Sequence, residues 1–213
     1  FCSPIPSGDW AQQSGGIMTR IPNPIESSAL ARPHHPALVS GEGRQWTYSE
    51  LRHDIQRRAA ALLQLGIQQG DIVALLGDPC PEWVASFHAI GWIGAVAMPV
   101  SSDASEHEIQ RILKGLPPKL LWVGKSHEQA LSSLRESIHC ASFCSSDSES
   151  LPGEILWGLE DIRLIVHTSG STGTPRAIRL TTGQLLFNAM GSSIRLGHHL
   201  DDRWLNSLPL HHM

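Results

Sequence analysis

Apolar and polar positions alternate between two periods along this chain, and the periods mark out its elements. Leu51, Ile55, Ala59, Leu62 and Leu63 recur at helical spacing behind Thr47-Tyr48-Ser49-Glu50, which has the pattern of a capping box, and Gly66 closes the run. Short apolar runs at 71–77, 95–100 and 119–123 read as buried strands. Pro81 fits the first turn of a second helix through Trp83, Phe87, Ile90 and Gly91, and Ser105-Glu106-His107-Glu108 caps a third, closed by Gly115 and Pro117-Pro118. Residues 37–40 and 44–47 flank Gly41-Glu42-Gly43 as a hairpin. Residues 128–135 read as a helix, 137–143 as a strand and 145–153 as a polar connection, followed by strands at 162–166 and 177–180. Strands alternating with helices imply crossover units and an α/β fold, a mainly parallel sheet covered by helices on both faces. Residues 1–28, rich in Pro, Gly and Ser without a clear period, are expected to form an irregular N-terminal segment, with Met18 a possible start; residues 29–213 form the domain.

Composition narrows the class. With 41% hydrophobic and 17% charged residues the chain reads as a soluble globular protein. Its 16 basic and 20 acidic residues give a net charge of −4, with no basic footprint for nucleic acid. No window approaches the roughly 18 uninterrupted apolar residues of a membrane span. Residues 1–28 also lack the basic and apolar regions of a signal peptide. The four cysteines (Cys2, Cys80, Cys140, Cys144) are too scattered for a disulfide framework, which fits a reducing cytosol. The histidine doublets 34–35, 198–199 and 211–212 are poor chelators, because adjacent residues in extended chain face opposite ways, and no metal site is expected from them.

The stretch that carries chemistry is Thr168-Ser169-Gly170-Ser171-Thr172-Gly173-Thr174-Pro175-Arg176, set between two strand-like runs. Five hydroxyls, two glycines and a guanidinium suit an anion-binding concavity, with backbone N–H groups turned inward and Arg176 adding charge. Composition alone leaves a plain turn equally open. The loop departs from the Walker pattern, with no Gly-Lys-Ser/Thr, which argues against the third possibility, a P-loop phosphotransferase.

The word order of this loop closely resembles the phosphate loop of the adenylate-forming enzymes, Thr-Ser-Gly-Ser/Thr-Thr-Gly-x-Pro-Lys-Gly, with Arg176 for lysine and Ala177 for glycine. The resemblance extends over roughly residues 29–213. It includes Trp46-Thr47-Tyr48-Ser49-Glu50-Leu51, Gly70-Asp71-Ile72-Val73-Ala74 and the passage 89–100. Leu180-Thr181-Thr182-Gly183-Gln184 is similar to the family's Leu-Thr-His-Gly-Asn, with Thr182 for histidine, and Leu208-Pro209-Leu210-His211-His212 to its Pro-Leu-aromatic-His. Within the family, residues 191–197 and 201–205 and Pro175-Arg176-Ala177 are most similar to the o-succinylbenzoate–CoA ligase branch.

The resemblance implies an incomplete N-terminal domain of the adenylate-forming fold and an ATP-dependent acid–CoA ligase, with ATP, Mg²⁺ and coenzyme A as cofactors and co-substrates and a carboxylic acid as substrate. Thr168, Ser169, Gly170, Ser171, Thr172, Gly173 and Thr174 would hold the β- and γ-phosphates, Arg176 would charge-pair with the leaving pyrophosphate, and His212 would lie near the acyl carboxylate. His211 takes the aromatic position, and His167 is expected to pack rather than act as a base. The family's ribose-binding segment and its C-terminal domain with the catalytic lysine would follow residue 213, so the 213 residues alone are expected to be inactive. Two rivals remain: an adenylation domain that loads a carrier protein, and a degenerate nucleotide-binding module, motivated by Arg176, Ala177 and Thr182.

Overall fold

A computed structural model of the chain describes residues 20–128, 134, 138–147, 150–168 and 176–212. In chain order these form β1 (Arg20–Ile21), α1 (Pro24–Ala31), β2 (Pro36–Val39), β3 (Gln45–Thr47), α2 (Tyr48–Gln64), β4 (Ile72–Leu76), α3 (Pro81–Trp92), β5 (Val96–Val100), α4 (Glu106–Gly115), β6 (Leu120–Val123), β7 (Cys140–Ser142), β8 (Trp157–Gly158), β9 (Ile162–Thr168), β10 (Arg176–Thr181) and α5 (Thr182–Leu196). Two single 3₁₀ turns stand at Lys125–His127 and Leu210–His212.

The central sheet has six strands in the order β10-β9-β5-β4-β6-β7. All neighbours pair in parallel except β10, which runs antiparallel to β9 at the edge. Alternate residues feed two cores. Val73, Leu75, Ala97, Leu120, Trp122 and Leu164 pack with α2 and α3, while Ala74, Leu76, Met98, Val100, Leu121, Val123 and Ile165 pack with α4. Burial on both faces explains why the strands read as unbroken apolar runs. β5 carries Pro99 although it is an interior strand, and its pairing with β9 is confined to Ala97 and Leu164. A proline has no N–H to give a ladder, so the two strands pair only below it.

Caps fix the helix starts. In α2 the Thr47 Oγ1 accepts from Glu50 N at 3.2 Å, and Thr47 N donates to Glu50 Oε2 at 2.8 Å. In α4 Ser105 and Glu108 repeat the pattern. Pro81 opens α3, whose N-cap is Cys80.

The irregular segment expected over residues 1–28 is, from residue 20 onward, ordered. Arg20 and Ile21 pair with Gly158 and Trp157, and the fully buried Asn23 caps α1 by accepting from Ile25 N at 2.9 Å. α1 buries only Ala29 and so shows no apolar period; its cap, Pro24 and the Glu26–Arg52 ion pair hold it instead. The helix expected over 128–135 lies, except for Glu128 and Leu134, outside the described residues. The polar connection after residue 145 is pinned: Ser146 is buried, its N donates to Arg57 O at 2.9 Å, and its Oγ accepts from Gln64 Nε2 at 3.0 Å.

Candidate functional site

β9 and β10 pair antiparallel, and the hydroxyl-rich stretch of the sequence connects them. Thr168 ends β9 and Arg176 begins β10, and the two are register partners. Partners in such a ladder have Cα atoms about 4.5–5.5 Å apart, so the threonine hydroxyl and the guanidinium leave the sheet side by side. Both residues are exposed, and neither side chain has a hydrogen bond or ion pair among the described residues. Ser169, Gly170, Ser171, Thr172, Gly173, Thr174 and Pro175 lie outside the described residues.

The loop leaves the sheet at the carboxyl end of β9, the edge shared by the ends of β4, β5 and β6. Open parallel sheets gather ligands along that edge. The turn Leu210–His212 reaches the same region, since it touches β5 and Leu210 packs into the core that holds Ala97 and Leu164. The sequence therefore brings its two candidate stretches to neighbouring strands, β9 and β5. His211 is half-buried.

The base of the hairpin is clasped by a buried arginine. Arg163 Nη2 donates to Asp161 Oδ2 at 3.0 Å, its Nε donates to Thr182 Oγ1 at 3.3 Å, and its guanidinium lies 5.0 Å from the centre of the Trp157 ring. Burial pulls the Arg163 guanidinium below its ordinary basicity, and the Asp161 carboxylate opposes that pull. Thr182 also donates to the Asp161 carbonyl, from its N at 2.9 Å and its Oγ1 at 3.3 Å. Gly183 N donates to Leu159 O at 2.8 Å, and a Cβ at Gly183 would sit 3.1 Å from that oxygen. Thr182 thus has a defined structural task at the position where the family pattern has histidine. Sequence reasoning missed Arg163 because a single charge in the run Ile162–Val166 reads as a solvated interruption; the aromatic Trp157 six residues earlier was the available signal.

His167 stands opposite Ala177 and is half-buried, and its Nδ1 is buried without a hydrogen-bond partner among the described residues. Burial holds the imidazole below its ordinary pKa, hence neutral near pH 7. Among the described residues no group of three His, Cys, Asp or Glu side chains converges on one point. Cys80, Cys140 and Cys144 form no disulfide among the described residues, and no described helix is long and apolar enough to cross a membrane.

Comparison with known proteins places these features in a family. The sequence description of the AMP-binding enzymes matches residues 25–213. The chain is 30% identical over 195 residues to a 2-succinylbenzoate–CoA ligase of Oceanobacillus iheyensis, covering 90% of this chain and 40% of that protein. It is also 30% identical over 193 residues to a feruloyl-CoA synthase of an Amycolatopsis species, covering 89% and 38%. The chain therefore spans about 40% of the length of the curated relatives it matches. Among solved structures, o-succinylbenzoate CoA synthetase of Bacillus subtilis in complex with its acyl-adenylate intermediate superposes with a TM-score of 0.81 at 26% identity, covering 91% of this chain and 51% of that one. The same enzyme with ATP and magnesium ion gives 0.80 at 26%, covering 91% and 52%. With the match running over nearly all of its length and the fold agreeing, the chain belongs to the AMP-binding enzyme family.

Proposed function

We propose that this chain is part of an ATP-dependent carboxylic acid–CoA ligase that acts through an acyl-adenylate, with o-succinylbenzoate, the acid of menaquinone biosynthesis, as its substrate and a reducing cytosol as its location. The observation that carries the reading is the hairpin tip, where Thr168 and Arg176 flank the phosphate loop in register on the ligand-gathering edge of the sheet. Two unpartnered donors side by side fit a polyphosphate. The acid is supported by the relatives and structures named for o-succinylbenzoate; the 30% likeness to a feruloyl-CoA synthase keeps a second aryl acid in view.

Displacement at the α-phosphorus needs positioning and charge neutralisation more than covalent help from protein groups. In this reading the residues Thr168–Thr174 hold the β- and γ-phosphates through hydroxyls and backbone N–H groups. Arg176 neutralises the departing pyrophosphate. Its planar fork can take two phosphate oxygens at once, where a lysine offers a point charge. Mg²⁺ arriving with ATP supplies further neutralisation of the phosphate oxygens. His212 donates to the acyl carboxylate in this reading, and His211 shapes the acid pocket. Coenzyme A then takes the acyl group as its thioester.

The test is ATP–pyrophosphate exchange on a polypeptide that contains this chain and extends to the length of its relatives, run with o-succinylbenzoate and with ferulate. Exchange driven by o-succinylbenzoate supports the reading, and exchange driven by ferulate alone replaces the acid. Release of ADP in place of AMP and pyrophosphate refutes the chemistry. No exchange with either acid, together with no ATP binding, favours a degenerate module; transfer to a carrier-protein thiol in place of coenzyme A favours the carrier-loading reading. The 213 residues by themselves are predicted to form no thioester.

A further inference from the structure

We infer that α5 is an internal helix of the complete protein, covered along its apolar side by the polypeptide that follows residue 213. The inference rests on the reading above that this chain is part of a longer protein. Among the described residues only the first turn of α5 is anchored: Thr182 and Gly183 are buried, and Leu185 and Leu186 are half-buried. From Phe187 to Leu196, where the helix ends, every residue is exposed, Phe187 by 70% and Ile194 by 83%. Of the thirteen large apolar side chains exposed among the described residues, nine lie between residues 178 and 208. The exposure is therefore one local patch, unlike the single apolar residues that any surface carries.

The helix is patterned for cover from more than one direction. At about 100° per residue, Leu185, Leu186, Phe187, Met190, Ile194 and Leu196 occupy an arc of roughly 200°, with Gln184, Asn188 and Arg195 in the remainder. A surface helix of a finished domain has an apolar stripe about half as wide and carries charge elsewhere. From Thr182 to Ile194 there is no charged residue. Propensity does not hold the projecting part either. Gly191, Ser192 and Ser193 are poor helix formers at its middle, and residues 187–196 are fewer than the roughly 12–15 that a helix needs alone in water. Tertiary packing has to supply what the sequence withholds.

The described chain offers no such cover, since residues 197–208, which follow the helix, are themselves exposed. A second copy laid against α5 approaches from one side and covers one stripe. An arc twice that width calls for polypeptide on two sides, which a continuing chain provides. The length is there: the 195 matched residues make up 40% of the Oceanobacillus iheyensis ligase, so most of a protein of that size lies outside the match.

The test is hydroxyl-radical footprinting read by mass spectrometry, on the 213-residue chain and on a polypeptide extended to the length of its relatives. Met98, fully buried in β5, is the internal standard for the folded state. In the 213-residue chain Met190 and Phe187 should oxidise as exposed side chains do, with Met98 at least tenfold slower. In the longer polypeptide both should slow at least tenfold, at every protein concentration. Ile194→Asp should lower the unfolding midpoint of the longer polypeptide by several degrees or prevent its folding, and Asn188→Asp, on the polar side, should leave it in place. Neither should move the midpoint of the 213-residue chain. Met190 oxidising freely in both proteins overturns the inference. Protection that appears in the 213-residue chain as its concentration rises overturns it in favour of a second copy. No nucleotide or acid is present, so a longer polypeptide that protects Met190 yet catalyses no exchange keeps this inference and loses only the ligase chemistry.

Discussion

The Arg163 guanidinium donates to the Thr182 hydroxyl at 3.3 Å, joining the first residues of β9 to the first turn of α5 beneath the β9–β10 hairpin. The two departures at this point, an arginine within an apolar run and a threonine in the place of the family histidine, are one arrangement. Thr182 is therefore a poor argument for degeneracy: its hydroxyl accepts from one side and donates to the Asp161 carbonyl on the other.

Arg163→Ala is expected to destabilise the fold by about 2 kcal/mol, since it removes a stacked guanidinium and the hydrogen bonds it gives to Asp161 and Thr182. Denaturant unfolding followed by tryptophan fluorescence measures it. A loss below about 0.5 kcal/mol would mean that the clasp is ornamental.

Thr47→Ala removes the oxygen that accepts from Glu50 N and should cost about 1 kcal/mol. Thr47→Ser, which keeps the acceptor, should recover most of it. Equal losses in the two variants would place the effect in the methyl group and not in the cap.

How far the fold was legible follows the same distinction between caps and periods. α2 and α4 announced themselves through both a capping box and an amphipathic stripe. α5 has the capping box Thr181–Gln184 but leaves Phe187, Met190 and Ile194 exposed, so no stripe pointed to a buried face. The parallel strands were legible as apolar runs because both of their faces are covered. That β10 turns back on β9 was not, since pairing direction depends on a partner eight or more residues away. At the site, the loop's word order was legible, whereas the clasp joins residues 157, 161, 163 and 182 whose proximity only the folded hairpin creates.

Acid should weaken the fold through His88. Desolvation in α3 pushes its imidazole down to about 4 from an ordinary 6.5. The unfolded chain takes up a proton first as pH falls below 6.5, so the stability contribution is complete above that value and is lost progressively down to about pH 4. Because the side chain keeps some exposure, the expected loss is on the order of 1–2 kcal/mol, below the ceiling set by about 1.4 kcal/mol for each tenfold change in proton affinity. Stability measured at pH 7 and pH 4.5 in the parent and in His88→Gln should show the smaller difference in the variant. An identical pH dependence would mean that the ring reaches water freely in the native state.

Arg176 separates binding from stability. Its side chain is exposed at the start of an edge strand, so Arg176→Ala should change unfolding free energy by less than about 0.5 kcal/mol. Loss of a charge-assisted contact to phosphate is worth about 1.5–3 kcal/mol, which predicts ATP binding weakened at least tenfold. Arg176→Lys restores the charge that the family pattern carries but not the fork. It should therefore bind within a fewfold of the parent, with any remaining deficit in the pyrophosphate-releasing step. Nucleotide titration of the three proteins reads the first effect, and exchange kinetics on the longer polypeptide reads the second. If alanine binds ATP as the parent does, the guanidinium points to solvent and the phosphate-loop reading loses its charged member; if lysine fails as badly as alanine, the planar fork and not the charge is what the loop requires.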